Sequence, residues 1–200
     1  IGEARSYEDS YNFLSERVVT GSKGDDFKTR YDYPHSIVLA NRDFSGIYSQ
    51  MVSNNILSPI IESTDLKGNI EIGHLRKNYS SPYPGMFLPD SVQQRFGSNA
   101  PLETRLKYRY DSKGNVITSI KDGVSQTHYI WGYKARYPVA KIEGADYDTI
   151  VTVLGGINTL TNFSDSYPSH DSDVNNFLSP LRTYMGLKDA SITTYTYRPS

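Results

Sequence analysis

Cysteine is absent from the 200-residue chain, and tryptophan occurs once. Without thiols the chain has no disulfides, no thiolate metal site and no cysteine nucleophile. Charge of one sign is lacking as well: 21 basic residues face 22 acidic ones, for a net charge of −1. That balance leaves no electrostatic footprint for nucleic acid or for an anionic membrane surface. Long apolar runs are missing too. Stretches such as Ile37 to Ala40 are far too short to span a bilayer. No basic-plus-apolar leader opens the chain at Ile1, which predicts either an excised piece or a processed product.

Signatures of the common chemistries are also missing. His35, His74, His128 and His170 are scattered with no i,i+4 partner, so a zinc motif fails and no metal or cofactor is expected. There is no Gly-x-Ser-x-Gly elbow. GSKGDD lacks the spacing and the Lys-Ser/Thr ending of a phosphate-binding loop. Asp171-Ser172-Asp173-Val174-Asn175 copies the first positions of a calcium loop, but Asn176 and Arg182 stand where glycine and glutamate are needed. Helix capping by Ser172 or Asp173 explains it better. No pair of acids is singled out for glycoside hydrolysis, and the chain is expected not to be an enzyme.

What is abundant is tyrosine, with 17 copies against 7 phenylalanines. Its ring packs while its hydroxyl stays wet, which suits pleated, half-exposed surfaces. The expected fold is therefore mainly β, an antiparallel hairpin meander forming a single β-rich module over 1–200. Val18-Val19-Thr20 and Phe27 to Tyr31 flank a Gly-rich turn and read as a first hairpin. Ile56 to Ser63 and Ile70 to Lys77 read as a second, with Gly68-Asn69 at the tight turn. A short helix is predicted near 43–53. PYPGMFLP at 82–89 excludes regular structure, and Ser91 to Phe96 resumes a strand. LETRLKYRYD, NVITSIKDG and VSQTHYIWGY form a three-stranded meander turning at SKGN and at Asp122-Gly123, with Pro138 to Ile142 as a further strand. A helical and loop insertion occupies 146–188. ADYDTIVTVLGG gives one helix and TNFSDSYPSHDSD a polar loop. VNNFLSPLRTYMG gives a second helix that Ser179-Pro180 either kinks or starts. SITTYTYRPS returns to β.

Two phrases recur. Tyr-x-Tyr occurs at Tyr31/Tyr33, Tyr108/Tyr110 and Tyr195/Tyr197, and Asp-x-Lys-Gly-Asn-(Ile/Val) occurs at 65–70 and 111–116. Tyrosines at i and i+2 pack side by side on one face, and Asp111 is placed to bond turn amides. The stretch YRYDSKGNVITSIKDG resembles one unit of the YD repeat of RHS-repeat proteins, with Tyr110, Asp111, Gly114, Asn115, Val116 and Gly123 falling on the pattern and Tyr108 completing the pair. YIWGYKARYPVAKIEGADY and TTYTYRP are similar to RHS-repeat proteins of Bacteroidetes, so the close likeness covers about 99–147 and 181–199. The resemblance implies a secreted or cell-envelope location, a shell or scaffold of chained hairpins, and neighbouring repeats of one parent protein as partners. Some such proteins house a toxin fragment behind an Asp-Pro-x-Gly phrase that is absent here. The expectation is a piece of shell cut just after Pro199, whose open strand edges either self-associate or are covered by the helical insertion.

One aromatic cluster carries an alternative. Alternation places Tyr129, Trp131 and Tyr133 on one face, with Tyr137 nearby. Aromatic faces edged by polar groups stack on sugar rings, so these four are the candidate glycan-binding residues. The competing explanation is that this face is the core of the sheet.

Overall fold

The computed structural model describes residues 2–168 and 170–197. The Arg198-Pro199 end of the TTYTYRP phrase lies outside the described residues. Eleven strands and five α-helices among the described residues make the chain mainly β and antiparallel, as the hairpin grammar implies. The chain divides into two compact units, 1–105 and 106–200.

In the first unit β1 (Gly2–Tyr7), β2 (Leu14–Thr20), β3 (Asp26–Asp32), β4 (Glu62–Lys67), β5 (Ile70–Ser80) and β6 (Leu88–Phe96) pair antiparallel in chain order. The β4–β5 turn is the tight one foreseen: Lys67 faces Ile70, and Gly68 supplies φ 61°. Its first strand, however, starts at Glu62 and not at Ile56. Pro59 removes a donor from the preceding segment, and Ile61 is pulled fully into a core with Ile37, Ile47, Tyr48 and Met51. The short helix expected near 43–53 is α2 (Ile47–Ser53), and an unforeseen helix, α1 (Pro34–Leu39), precedes it. Pro34 opens α1 at a position that needs no backbone donor. PYPGMFLP is irregular only to Phe87. Leu88 and Pro89 already belong to β6, where Pro89 faces Tyr79 beside a bulge that tolerates the missing donor.

Arg42 fastens the helical excursion to the sheet. Its guanidinium donates to Asp32 on β3 at 2.6 Å and to buried Glu62 on β4 at 2.8 Å. Arg76 also lies 3.4 Å from the Glu62 carboxylate, and a desolvated carboxylate is costly to unpair.

In the second unit the larger part of β7 (Glu103–Tyr110), with β8 (Val116–Lys121), β9 (Ser125–Gly132) and β10 (Tyr137–Glu143), forms the predicted meander. Asp122 and Gly123, at φ 50° and 73°, turn β8 into β9. Three helices, α3 (Tyr147–Val153), α4 (Ile157–Asp165) and α5 (Asp171–Thr183), precede β11 (Ser191–Thr194), which pairs with β10. Ile130, Val139, Ala140 and Ile142 of the sheet pack on Ile150, Leu160, Val174, Leu178 and Leu181 of the helices. Asp146 caps α3, accepting from the Thr149 amide. Much of the expected polar loop is instead the second half of α4 and the first turn of α5. The apolar residues of α4 are few, but Ile157, Leu160 and Phe163 recur at helical spacing, and Phe163 stacks on Phe177 of α5 at 3.8 Å. Pro180 neither starts α5 nor ends it, because the helix runs from Asp171 through it to Thr183. The Asp173 carboxylate closes the N-terminus by accepting from the His170 amide.

Gly132 is packed tightly between Val139 of β10 and Phe163 of α4. A Cβ there would lie 2.9 Å from Val139 Cγ1 and 3.4 Å from Phe163. Gly132→Ala should therefore lower stability by about 1–3 kcal/mol through overpacking, read as a lower urea midpoint with an unchanged m-value.

Candidate functional site

The strand end that carries the candidate aromatics meets the tyrosine-aspartate turn. On β7, Tyr108 and Tyr110 are half-buried on one face, with ring centroids 6.3 Å apart, while Lys107 and Arg109 are exposed. Asp111 comes next, and its Oδ1 accepts from the amides of Lys113 and Asn115, both at 2.9 Å. Gly114, at φ 86°, completes the turn and donates to the Asp111 carbonyl at 3.1 Å. The Asn115 amide group donates to Asp111 Oδ2 at 3.1 Å and to the carbonyl of Ala135 at 2.9 Å. The carboxylate is thus spent on its own turn, and Asn115 ties that turn to the β9–β10 connection.

That connection breaks the predicted alternation. Tyr133, Lys134 and Ala135 take φ of 55°, 59° and 57°, a run of left-handed residues without a glycine. The Lys134 and Ala135 amides donate to the carbonyls of Ser166 and Ser164 at the end of α4, each at 2.8 Å. The chain therefore swings Tyr133 off the strand face and into the core, where it is 3% exposed. Tyr137, Tyr167 and Tyr197 meet its ring edge-on at 5.6–6.1 Å, and Tyr137 stacks on Tyr197 at 4.8 Å. The Tyr133 hydroxyl accepts from the Tyr197 amide at 3.1 Å.

The four candidate residues accordingly divide. Tyr133 and Tyr137 belong to a tyrosine box on the helical side. Tyr129 and Trp131 stay on the other side of β9 and are half-buried, whereas His128, Ile130 and Gly132 face the core. The Trp131 indole donates to the Val116 carbonyl at 2.9 Å, which fixes its ring along β8.

Pairwise spacing in the chain could not reveal how the histidines are placed. His35, which is buried, sits 2.5 Å from the Glu8 carboxylate within rings of Tyr11, Phe13 and Tyr33. Ser36 Oγ reaches the same imidazole nitrogen at 3.5 Å and also accepts from the Tyr33 amide. A relay needs serine and acid on opposite nitrogens, so this geometry straps the β1–β2 connection to α1 and does not activate a nucleophile. His74 lies 3.4 Å from Glu62. His170 is exposed. Among the described residues no group of three metal-ligating side chains converges. A cleft of about 590 Å³ between α3 and α5 is lined by Asp146, Asp148, Thr149, Thr152, Thr183 and Tyr184, but its Asp146 is committed to capping α3.

His128 is fully buried. Its Nε2 donates to the Ala145 carbonyl at 3.0 Å, so Nδ1 is left to accept from the Thr118 hydroxyl at 3.1 Å. Burial pushes its pKa below the ordinary imidazole value. The unfolded chain then takes up a proton at a pH where the folded chain does not, so stability rises with pH across that window. The histidine's contribution is complete above about pH 6.5 and is lost as the pH falls toward the depressed folded value. Urea titrations between pH 7 and pH 5 should show the midpoint dropping, and His128→Gln should flatten that segment of the profile. Asn115→Ala should cost about 1–3 kcal/mol by leaving the Ala135 carbonyl without its donor, measured the same way at pH 7.

No protein-family model matches the chain and no curated protein matches it, so the functional reading stands on the residues and geometry above.

Proposed function

We propose that the chain is a non-catalytic structural module built of chained β-hairpins, a shell or scaffold piece of a secreted or cell-envelope protein of the YD/RHS-repeat type. The observation that carries this reading is the topology. Within each unit every strand pairs antiparallel with its neighbours in sequence, so the fold grows hairpin by hairpin. The best-formed repeat turn supports it, since Asp111 and Asn115 spend their polar atoms on the turn and its neighbour. The location and the parent protein rest on the resemblance of YRYDSKGNVITSIKDG and the phrases around it to that family. Neighbouring repeats would be the partners.

One observation favours a second reading, a carbohydrate-binding face. Tyr129 and Trp131 remain partly open side by side on β9. Trp131 is the sole tryptophan, so its fluorescence reports on that face alone.

In stacked repeats each unit contacts only its neighbours, and stability is roughly a sum of unit and interface contributions. Fusing one further YD-type hairpin ahead of β1 should therefore raise the Tm by several degrees. An unchanged Tm with the added hairpin unstructured would sink the scaffold reading. Under the same reading, Trp131 emission should stay flat when the chain is titrated with a panel of neutral and acidic oligosaccharides. A saturable shift that Tyr129→Ala removes would establish the glycan face instead.

A further inference from the structure

The phrase Asp-x-Lys-Gly-Asn occurs twice, and its two aspartates do different work. Asp111 spends both carboxylate oxygens on its own turn. Asp65 lies within β4. Its carboxylate accepts from the Thr29 hydroxyl on β3 at 2.7 Å and, among the described residues, from no amide of its turn. Register sets Asp65 beside Thr29 on one side and Gly73 of β5 on the other, and Gly73 in turn faces Phe96 of β6. Alternation adds Phe27, Leu75 and Gln94 to this face and sends Asp32 and Glu62, the partners of Arg42, to the other.

Gly73 is the odd member. Glycine inside a strand weakens it, and marks a special backbone or a close approach. Gly73 has no positive φ, and the neighbouring bulge takes up Ile72, between Gly73 and Glu71 in the register. A Cβ there would meet only Asp65, at 3.5 Å from Oδ2 and 3.7 Å from its Cβ, which is ordinary contact. Neither the backbone nor the chain's own packing therefore requires glycine. The missing side chain instead leaves a hollow of about 310 Å³, lined by Phe27, Thr29, Asp65, Leu75, Gln94 and Phe96. Phe27 is 42% exposed and Phe96 66%.

We propose that this hollow binds a neutral pyranose ring of a glycan, with Phe96 as the stacking face and Asp65 Oδ2 and Gln94 as hydrogen-bonding groups. It adds a ligand site to the scaffold reading and does not depend on it. A sugar ring has an apolar C–H face and hydroxyl donors round its edge, which suits an open aromatic ring beside a carboxylate. Thr29 occupies Asp65 Oδ1, and Oδ2 is the oxygen that leans toward Gly73. A hydroxyl donating to it would make a charge-assisted bond. The Gln94 side chain has no hydrogen bond among the described residues, so its amide offers both donors and an acceptor. Lys67 is already paired with Asp25 at 3.1 Å and lies 5.7 Å from the centre of the Phe27 ring. An acidic sugar would thus meet the Asp65 charge without a base to offset it. A peptide strand needs a free sheet edge, but β3, β4 and β5 are each paired on both edges. For the same reason the hollow does not depend on where the chain begins.

Amide ¹H–¹⁵N spectra recorded with cellobiose, maltose, lactose and glucuronic acid test this. The Gly73 and Phe96 amides should shift saturably with at least one neutral disaccharide and not with glucuronic acid. Phe96→Ala and Asp65→Asn should each weaken binding by about tenfold or more. Gly73→Val fills the hollow with a residue that favours strands, and should abolish binding without lowering the Tm. Gly73→Ala, whose methyl group fits at ordinary contact distance, should weaken binding and also keep the Tm. A Tm lowered by both substitutions would show that the glycine serves folding and would overturn the proposal. So would no shift with any of the three disaccharides, equal binding of glucuronic acid, or binding that survives Gly73→Val. Shifts centred on Tyr129 and Trp131 would overturn it too, in favour of the β9 face. The scaffold reading is tested separately by the added hairpin.

Discussion

The second unit hangs on the side chain of Asn115. One amide group joins two turns distant in sequence, donating to the Asp111 carboxylate within the β7–β8 turn and to the Ala135 carbonyl in the β9–β10 turn. The second of these turns is strained. Three consecutive L-residues in the left-handed region cost roughly 1–2 kcal/mol each, so the conformation needs outside support. Asn115 supplies part of it, and the Lys134 and Ala135 amides supply more through their bonds to Ser166 and Ser164. That turn has two large effects. It rotates Tyr133 into the tyrosine box, and it lets β10 return along β9 with Gly132 pressed on Val139 and Phe163. The Asp111–Asn115 turn is therefore a fastening between hairpins as well as a way of turning one.

The first unit solves a similar problem with charge. Its helices α1 and α2 leave the sheet after β3 and must return so that β4 pairs with β3. The apolar cluster around Ile37, Met51 and Ile61 supplies the attraction, but attraction between apolar groups has no direction. Arg42 supplies direction by bridging Asp32 and Glu62, residues that face each other across β3 and β4. Burying Glu62 is tolerable only with that partner, and with Arg76 and His74 also near its carboxylate. Removing Arg42 would leave a desolvated charge at the seam, so the network specifies where the excursion closes more than it adds stability.

Strand segments and turns were legible in the sequence because their signals are local: β-branched and aromatic alternation, and Gly-Asn or Asp-Gly at the bends. Alternation failed at Tyr133 for a reason no local pattern contains. The left-handed run has no glycine to announce it, and the donors and acceptors that hold it come from Asn115 and α4. Strand β4 was misplaced for a comparable reason. Ile56, Ile60 and Ile61 read as a strand, yet the core formed by α1 and α2 claims Ile61. Helix α4 was hidden by its polarity, since only Leu160 and Phe163 mark its buried side. The pairing of His35 with Glu8 spans two elements, so neither residue's neighbours in sequence point to it.

The topology also constrains how such a chain can assemble. Nearly every pairing joins strands separated by a short turn, so closing each hairpin costs little chain entropy. Two closures are longer. The β3–β4 pairing encloses α1 and α2, and the β10–β11 pairing encloses α3, α4 and α5. In both, the intervening helices bring their own apolar residues to the sheet, Ile37 and Met51 in one case, Ile150, Leu178 and Leu181 in the other. The entropy of a long loop is thus offset by a core that the loop itself contributes. The two insertions are accommodated because each buries enough apolar surface of its own to return the chain to its next strand.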